Sequence, residues 1–373
     1  EQNRLLASPF KFYRRGECGM EFSDVIPHMG RCVDDLCLVR SMHTGISGHE
    51  TGISAMNTGG DGRRGRPAMG SWLVYGLGSE NDNLPAYLVL RDPASLPVLG
   101  AEMWQNTWLP SACGGTVVHA HEPRIANLQP PGPLRGGPQK RILSDLDQIN
   151  RRHLERHPGE ADLAARLRSY SLAAGMQVEA REVLDISGES KATQALYGID
   201  DAVTKDFGTR CLIARRLVER GVRFVQIYSG GGHGDQNWDA HGNVDNNLNI
   251  HGPEIDKPIH GLISDLAQRG LLDETLVLWV GEFGHTPKFN ARAGRDHWGH
   301  CFSIALAGGG VQGGVVHGES DDRAAYPISG RVEPRDLMAT VFHCLGYSPD
   351  TELHDTIGRP LPISRGRVIE QVL

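Results

Sequence analysis

Acidic and imidazole side chains are concentrated in residues 235–297, which read DQNWDAH, then a helical pattern, then TLVLWVGEFGHTP and GRDHW. Carboxylate oxygens and imidazole nitrogens are the ligands of divalent cations that support hydrolytic chemistry. The stretch therefore predicts a metal-dependent hydrolase. The stretch also contains Asp235, and the side chains that we expect to bind the ion are Asp239, His241, Glu282, His285, Asp296 and His297.

The spacing of these residues suits a shared ligand. Asp239 and His241 are two positions apart in a loop, so both side chains can face one ion. Glu282 directly follows an apolar run and stands between glycines, which let the backbone turn sharply. Asp296 lies beside His297. The alternative is that each residue only caps a helix or bonds to backbone, as Asp and His in loops often do.

A second candidate segment, residues 43–51 (HTGISGHET), follows an apolar run and opens a helical pattern. The amino end of a helix lowers the pKa of a hydroxyl group, so Ser47 or Thr51 could serve as a nucleophile. We take Ser47, Thr51 and His49 as the candidate catalytic residues. The structural alternative is equally compatible with the sequence, because Ser47 followed by Glu50 fits a capping box.

The elements that position these segments follow an α/β pattern. Apolar runs without alternation, bounded by turn residues, predict strands that are buried on both faces of a mostly parallel sheet. Helical patterns between them predict crossovers with helices on both faces, and sites in such sheets form where the strands end. The predicted strands are 35–40, 86–90, 222–228, 275–280 and 302–307, and the predicted helices are 141–156, 160–180, 207–220, 253–269 and 335–345.

Composition narrows the function classes. The net charge of −7 gives no general attraction to nucleic acid or to an anionic membrane, and no apolar run approaches membrane-spanning length. The seven cysteines include no C-x-x-C pair, so no disulfide framework is predicted. The Gly-rich run at 230–234 lacks the phosphate-loop pattern and is better explained as a flexible site loop.

Ordered motifs along the chain resemble the alkaline phosphatase/sulfatase superfamily, and most closely a large bacterial sulfatase-like family. The motifs that carry this resemblance include SPFKF (8–12), VRSMHT (39–44), CLIARRLVERGVRFVQIY (211–228), WDAHG (238–242), RGLLDETLVLWVGEFGHTP (269–287), GRDHW (294–298) and GRPLP (358–362).

The resemblance implies a three-layer α/β/α sandwich with a mostly parallel central sheet, formed by one domain over residues 1–373. It implies that Asp239, His241 and His297 hold one divalent cation, and that Glu282 and His285 contribute to a second. The ion would be zinc, calcium, magnesium or manganese. Residues 91–140 are expected to form a loop-rich covering segment, followed by a helical segment over 141–180.

The chain departs from the family pattern in several places. Relatives carry a first strand with a Gly-rich turn and a metal-binding Asp ahead of the SPFKF region, and the sequence shows no equivalent, so this first strand is expected to be missing. Gly48 replaces a common Asn, and His285 replaces a common Arg. No C-x-P-x-R segment surrounds a cysteine, so a formylglycine nucleophile cannot form.

The predicted function is hydrolysis of a small-molecule or glycan phosphate or sulfate ester. The alternatives are a phosphomutase-type transferase and a degenerate, non-catalytic binding protein that keeps the fold. No nucleic acid partner and no membrane span are expected. Relatives are often exported through a twin-arginine signal, so the resemblance suggests a periplasmic or extracellular location.

Overall fold

The structure is a computed structural model that describes residues 8–373 apart from 120, 126–127, 129–131, 135–136, 158–160, 232–236 and 355–356. Its α-helices are α1 (His49–Thr58), α2 (Met69–Leu77), α3 (Gly137–Arg156), α4 (Ala161–Leu184), α5 (Lys191–Leu196), α6 (Lys205–Val218), α7 (Val244–Gln268) and α8 (Pro334–Cys344).

The strands are interspersed with these helices, and most of the described strands follow α7. They are β1 (Phe12–Arg15), β2 (Met20–Ser23), β3 (Leu36–Met42), β4 (Tyr87–Leu90), β5 (Thr116–Val118), β6 (Phe224–Ile227), β7 (Val277–Trp279), β8 (Gly284–His285), β9 (His297–Trp298), β10 (Phe302–Ala307), β11 (Val315–His317), β12 (Glu319–Ser320), β13 (Pro327–Ser329), β14 (Glu352–His354) and β15 (Pro360–Pro362).

The larger strands form two sheets. One has the order β5-β4-β6 and is entirely parallel; the other has the order β11-β3-β10-β7, in which β10 runs antiparallel to both of its neighbours. The protein is therefore a mixed α/β protein. The prediction of one mostly parallel central sheet is not met among the described strands, because they form two sheets and one of them is mixed.

The direction of β10 has a simple cause. The chain passes from β7 to β10 through the short β8–β9 hairpin and loops, without the crossover helix that a parallel neighbour would require. An apolar run such as FSIALA has the same composition in either direction. The apolar run therefore predicts which residues form this strand, but not the direction in which the strand runs in the sheet.

Helices cover both faces of the mixed sheet. On one face, Leu73 of α2 and Leu337 of α8 share an apolar cluster with Val39 of β3. On the other face, Ile255 of α7 packs in a separate cluster with Leu36. In the parallel sheet, β4 packs against α4 and α6 on one side and against Trp104 and its neighbours on the other.

The predicted elements are found with shifted bounds. Each of the five predicted strands overlaps a strand of the two sheets, namely β3, β4, β6, β7 and β10. Helix α7 begins at Val244 and runs through Pro253, where the sequence had suggested a start because proline is favoured in a first turn. Strand β5 lies inside the segment expected to lack regular structure. No helix in the described part of the chain is both long and apolar enough to cross a membrane.

Candidate metal centre

The loop after β3 brings His49 to the centre of the candidate site. Backbone amides of Thr44 and Gly45 donate to the carbonyl of Gly299, at 2.8 and 3.0 Å, and fix the course of this loop. Helix α1 then begins at His49, with Gly48 as its N-cap and no side-chain capping hydrogen bond. The capping box that Ser47 and Glu50 suggested is therefore wrong: the helix starts one residue too late for Ser47 to be its N-cap.

The loop after β6 carries Asp239 and His241. The amide of Arg295 donates to the carbonyl of Ala240 at 3.0 Å, which ties this loop to the segment before β9. A Cβ atom on Gly294 would lie 2.1 Å from the carbonyl carbon of His241, so only glycine permits this approach. The close contact between two loops from distant parts of the chain holds Asp239 and His241 against β9.

The base of the same loop is anchored by Asp92. The Asp92 carboxylate accepts a hydrogen bond from the amide of Gly230 at 2.9 Å and pairs with Arg210 Nη2 at 3.3 Å. Arg210 is buried in α6 and also donates to the carbonyl of Tyr228. A buried arginine thus holds both the end of β6 and the carboxylate that positions the next turn.

Removal of this anchor is expected to loosen the loop. Asp92→Ala leaves the Gly230 amide and the Arg210 guanidinium without that carboxylate, which should lower the free energy of unfolding by about 1–3 kcal/mol. Hydrogen exchange at residues 228–231 should become faster, as measured by mass spectrometry. Asp82→Ala, at an exposed aspartate, is the control. Unchanged exchange in Asp92→Ala would contradict the anchoring role.

The loop after β7 places Glu282 and His285. Strand β8 pairs antiparallel with β9, so that His285 lies opposite His297. Phe283 packs its ring against those of His297 and His49, with centroids 4.3 and 5.2 Å apart. The hairpin therefore supplies an apolar wall as well as two histidines.

The carboxylate of Asp239 is the point at which these loops meet. Its Oδ1 lies 2.7 Å from His297 Nε2 and 2.9 Å from His241 Nε2, and its Oδ2 lies 3.3 Å from His49 Nε2. The Nε2 atoms of His241 and His297 are themselves 3.0 Å apart. Glu282 joins from the outside through His49 Nδ1, at 2.8 Å.

The other ring nitrogen of each histidine faces an oxygen atom. Nδ1 of His297 lies 2.9 Å from the carbonyl of Ser47, which can only accept, and Nδ1 of His241 lies 3.1 Å from a carboxylate oxygen of Asp296. With the Glu282 contact to His49, each Nδ1 is placed to donate its proton. In the neutral rings each Nε2 then carries a lone pair and points at Asp239, as in metal-binding histidines.

The donor set fits a divalent cation. The ligand atoms of His49, Asp239 and His297 lie within 4.8 Å of one another. Lone pairs facing a carboxylate repel it unless a proton or a metal ion lies between them. Nε2 of His285 is buried and has no hydrogen-bond partner among the described residues, and the ring of His285 lies near that of His297, with centroids 6.2 Å apart.

The electrostatics are those of an anionic carboxylate among imidazoles. When a proton rather than a metal ion lies between Asp239 and His297, burial alone would raise the pKa of Asp239, but the hydrogen bond with His297 and the charge of His241 outweigh it, and the pKa is lowered. The hydrogen bond with Glu282 raises the pKa of His49, with Asp239 adding to the effect. Burial lowers the pKa of His285, which favours its neutral, ligand-competent form.

The remaining predicted residues lie at the edge of this group. Asp296 is exposed, and its carboxylate contacts His241 rather than the cluster centre. The hydroxyl of Ser47 accepts weakly from the amide of Gly299, at 3.4 Å. Thr51 is exposed in the first turn of α1. Asp235 lies outside the described residues.

Sequence reasoning missed two residues of the site. Phe283 stands inside the GEFGH motif but was not among the candidate site residues. Asn290 donates through Nδ2 to the carbonyl of His241 at 3.0 Å and to Asp296 at 3.1 Å. The feature of the sequence that could have indicated Asn290 is its position between the GEFGH and GRDHW motifs.

The chain matches the model of a known protein family. The model described as "Protein of unknown function (DUF1501)" matches residues 1–373. The chain belongs to this family. A comparison with curated proteins finds no match.

Two solved structures similar to this DUF1501 protein have low sequence identity to it. The phosphonate monoester hydrolase SpPMH from Silicibacter pomeroyi is 11% identical with a TM-score of 0.43, over 92% of this chain and 71% of that one. Ps i-CgsB, solved in complex with k-i-k-neocarrahexaose, is 10% identical with a TM-score of 0.40, over 86% of this chain and 66% of that one.

Proposed function

We propose that this DUF1501 protein is a metal-dependent hydrolase of phosphate or sulfate esters, with small molecules or glycans as substrates. The observation that supports it most is the convergence of the Nε2 atoms of His49, His241 and His297 on the Asp239 carboxylate. The sequence resemblance to the alkaline phosphatase/sulfatase superfamily agrees with this chemistry. We extend the proposal to the fold, as one three-layer α/β/α domain over residues 1–373, with residues 91–140 covering the sheet.

The residues that would hold the ion are Asp239, His49, His241 and His297, with Glu282 and His285 next to them. A set richer in imidazole than in carboxylate favours zinc over calcium, magnesium or manganese, which prefer oxygen ligands. A bound ion would act as a Lewis acid on an ester oxygen. Glu282 would keep Nδ1 of His49 protonated, and the Ser47 carbonyl would do the same for His297.

The attacking group in this proposal is a hydroxyl near the start of α1. Ser47 offers an exposed hydroxyl two residues before α1, next to the carbonyl that orients His297. Thr51 lies one turn further into the helix and points toward Gly62. We assign Ser47 as the candidate nucleophile, because its backbone already contacts the site.

An activity panel tests the reaction class. The protein is stripped with a chelator, reloaded with zinc, manganese, magnesium or calcium, and assayed with an aryl phosphate, a phosphodiester, a phosphonate monoester and an aryl sulfate. At least one ester should turn over with metal and not without it. His297→Ala should lower kcat/KM by about a hundredfold or more, since it removes a ligand and a contact to Asp239.

His343→Ala is the matched control, because His343 is an exposed histidine on α8. It should leave kcat/KM unchanged. Turnover in His297→Ala at the wild-type rate would remove the assigned site from the mechanism. Tight metal binding with no turnover of any ester would favour the non-catalytic binding protein, and transfer of the phosphoryl group to a second hydroxyl compound would favour the transferase.

A further inference from the structure

A cavity of about 160 Å³ lies between the second half of α1, the loop that follows it and residues 99–107. Its floor includes Leu99 and Met103, which are buried. Its rim carries exposed polar side chains, namely those of Arg64, Arg66, Glu102, Gln105 and Thr107. The cavity, which we call the Arg66 cavity, therefore combines an apolar floor with a polar rim that faces solvent.

The side chain of Asn57 holds α1 against the opposite wall of this cavity. Its Nδ2 donates to the carbonyl of Met103, and its Oδ1 accepts from Gln226 Nε2 at 3.1 Å. The hydroxyl of Thr58 donates to the carbonyl of Ser54 at 2.7 Å. Because these wall groups already bond to one another, the cavity is formed before a ligand binds, as in most small-molecule sites.

The guanidinium of Arg66 lacks an ion-pair partner. Among the described residues, no carboxylate oxygen lies within 4.0 Å of it. The two nearby acids pair with other arginines, Asp61 with Arg63 at 3.2 Å and Glu102 with Arg64 at 3.5 Å. In a chain with a net charge of −7, Arg66 is thus a cation at the mouth of a cavity that is available to an anionic ligand.

Two neutral donors lie on the same rim. The side chains of Gln105 and Thr107 make no hydrogen bond with the part of the chain that the structure describes. Thr107 has a φ of 48°, in the left-handed region that a β-branched residue rarely adopts. Such strain persists only where the surrounding structure fixes it, and it is concentrated at ligand sites. A guanidinium, an amide and a hydroxyl together are donors that suit an oxyanion.

The volume indicates the size of the ligand. At about 10–15 Å³ for each water molecule, 160 Å³ gives room for roughly ten. A lone carboxylate, sulfate or phosphate group would leave much of this space unfilled. A sugar ring beside the oxyanion would fill it, because C–H groups on one ring face can pack on Leu99 and Met103 while hydroxyl groups reach the rim.

We propose that the Arg66 cavity binds a sugar-sized molecule that carries one oxyanion group, which Arg66 recognises by a charge-assisted hydrogen bond. The site is separate from the metal centre. Ser54 and Thr58 follow His49 by five and nine residues of α1, which is roughly 7–14 Å along the helix. The inference rests on the cavity alone and holds whether or not the protein is a hydrolase.

Glucuronate is the probe, because it carries a carboxylate on a sugar ring and is not an ester that a hydrolase could consume. Its dissociation constant for the chelator-treated full chain is measured by saturation-transfer NMR. Glucose, a ring without the charge, and acetate, a charge without the ring, are compared with it. Glucuronate should bind at least about tenfold more tightly than either, because only glucuronate uses both the rim and the floor.

Arg66→Ala should weaken the binding of glucuronate by at least about tenfold, because it removes the charge-assisted hydrogen bond. Arg66→Lys, which keeps the charge without the planar guanidinium, should fall between Arg66→Ala and the parent protein. The matched control is Arg63→Ala, in the same loop but 83% exposed and paired with Asp61 outside the cavity. Arg63→Ala and His297→Ala should both bind glucuronate as the parent protein does, and circular dichroism checks that each variant is folded.

Four outcomes overturn the proposal. In the first, glucuronate does not bind. In the second, folded Arg66→Ala binds it as tightly as the parent protein. In the third, acetate binds as tightly as glucuronate, so the cavity takes a free carboxylate and not a sugar acid. In the fourth, His297→Ala loses the binding, so glucuronate occupies the metal centre.

Discussion

Replacing Asp239 with alanine is expected to weaken the binding of a divalent cation by at least about a hundredfold, or about 2.8 kcal/mol. The Asp239 carboxylate contacts Nε2 of each of His49, His241 and His297. Its removal takes away a negatively charged ligand and leaves the imidazoles facing one another without a counter-charge. Calorimetric titration of chelator-treated protein with zinc and with manganese measures the effect.

The control for this substitution is Asp322→Ala, at an exposed aspartate outside the site, which should bind metal as the parent protein does. Asp239→Asn keeps the shape but removes the charge, and should fall between the two. Circular dichroism before each titration separates loss of the ligand from loss of the fold. If folded Asp239→Ala bound zinc as tightly as the parent protein, the metal centre would lie elsewhere.

The sequence predicted several residues of the candidate site because they follow apolar runs. Asp239, Glu282 and His49 stand in loops after β6, β7 and β3, and chemistry at the ends of buried strands is a general property of such sheets. What the sequence could not provide was the choice between adjacent residues. Asp296 and His297 are neighbours, yet His297 contacts Asp239 while Asp296 is exposed.

Whether Asp296 or His297 contacts Asp239 depends on the pairing of β8 with β9, which the neighbouring sequence does not indicate. Strand β9 has only two residues, and its position is set by β8, its antiparallel partner, and by the loop after β3, whose Ser47 carbonyl contacts His297. The start of α1 at His49 depends in the same way on contacts between Thr44 and Gly299, far apart in sequence. Such tertiary contacts override a capping motif that is worth only about 1 kcal/mol.

The sequence predicted the individual strands and helices, but not how the strands are arranged in sheets. Apolar composition identified β3, β4, β6, β7 and β10, because strands buried on both faces have no polar positions. It carries no information about direction or about which edge each strand occupies. Strand β5 was missed because three residues in a long irregular segment give too short a pattern.

The largest stability effect is expected at Arg215, which lies deep between α6 and its neighbours with 2% of its side chain exposed. It faces Glu189 through Nη2 at 2.9 Å, Glu219 through Nη1 at 2.7 Å and Asp265 through Nε at 2.9 Å. Burial alone would lower the pKa of Arg215, but the charges of Asp265 and Glu189 outweigh it and the pKa is raised. Tyr197 donates a further hydrogen bond to Asp265 at 3.0 Å.

Arg215→Met should lower the free energy of unfolding by about 3 kcal/mol, because it removes the buried cation that Glu189 and Asp265 share, although Arg216 still pairs with Glu189 and Arg269 with Asp265. Urea denaturation followed by circular dichroism measures this. The comparison is Arg151→Met, whose partner Asp147 lies at 2.7 Å but where the two side chains are 74% and 45% exposed. An exposed pair one helical turn apart contributes only about 0.3–0.5 kcal/mol, so this variant should unfold close to the parent protein.

Comparing the two arginine variants separates the effect of burial from the effect of the ion-pair distance. Both make an ion pair at 2.7 Å with an acid four residues away in the same helix, Glu219 for Arg215 and Asp147 for Arg151. If distance governed stability, both variants would lose the same free energy. Burial predicts that Arg215→Met loses several times more, since water cannot replace the missing cation in the interior. Equal losses would show that Arg215 acts as an ordinary surface charge.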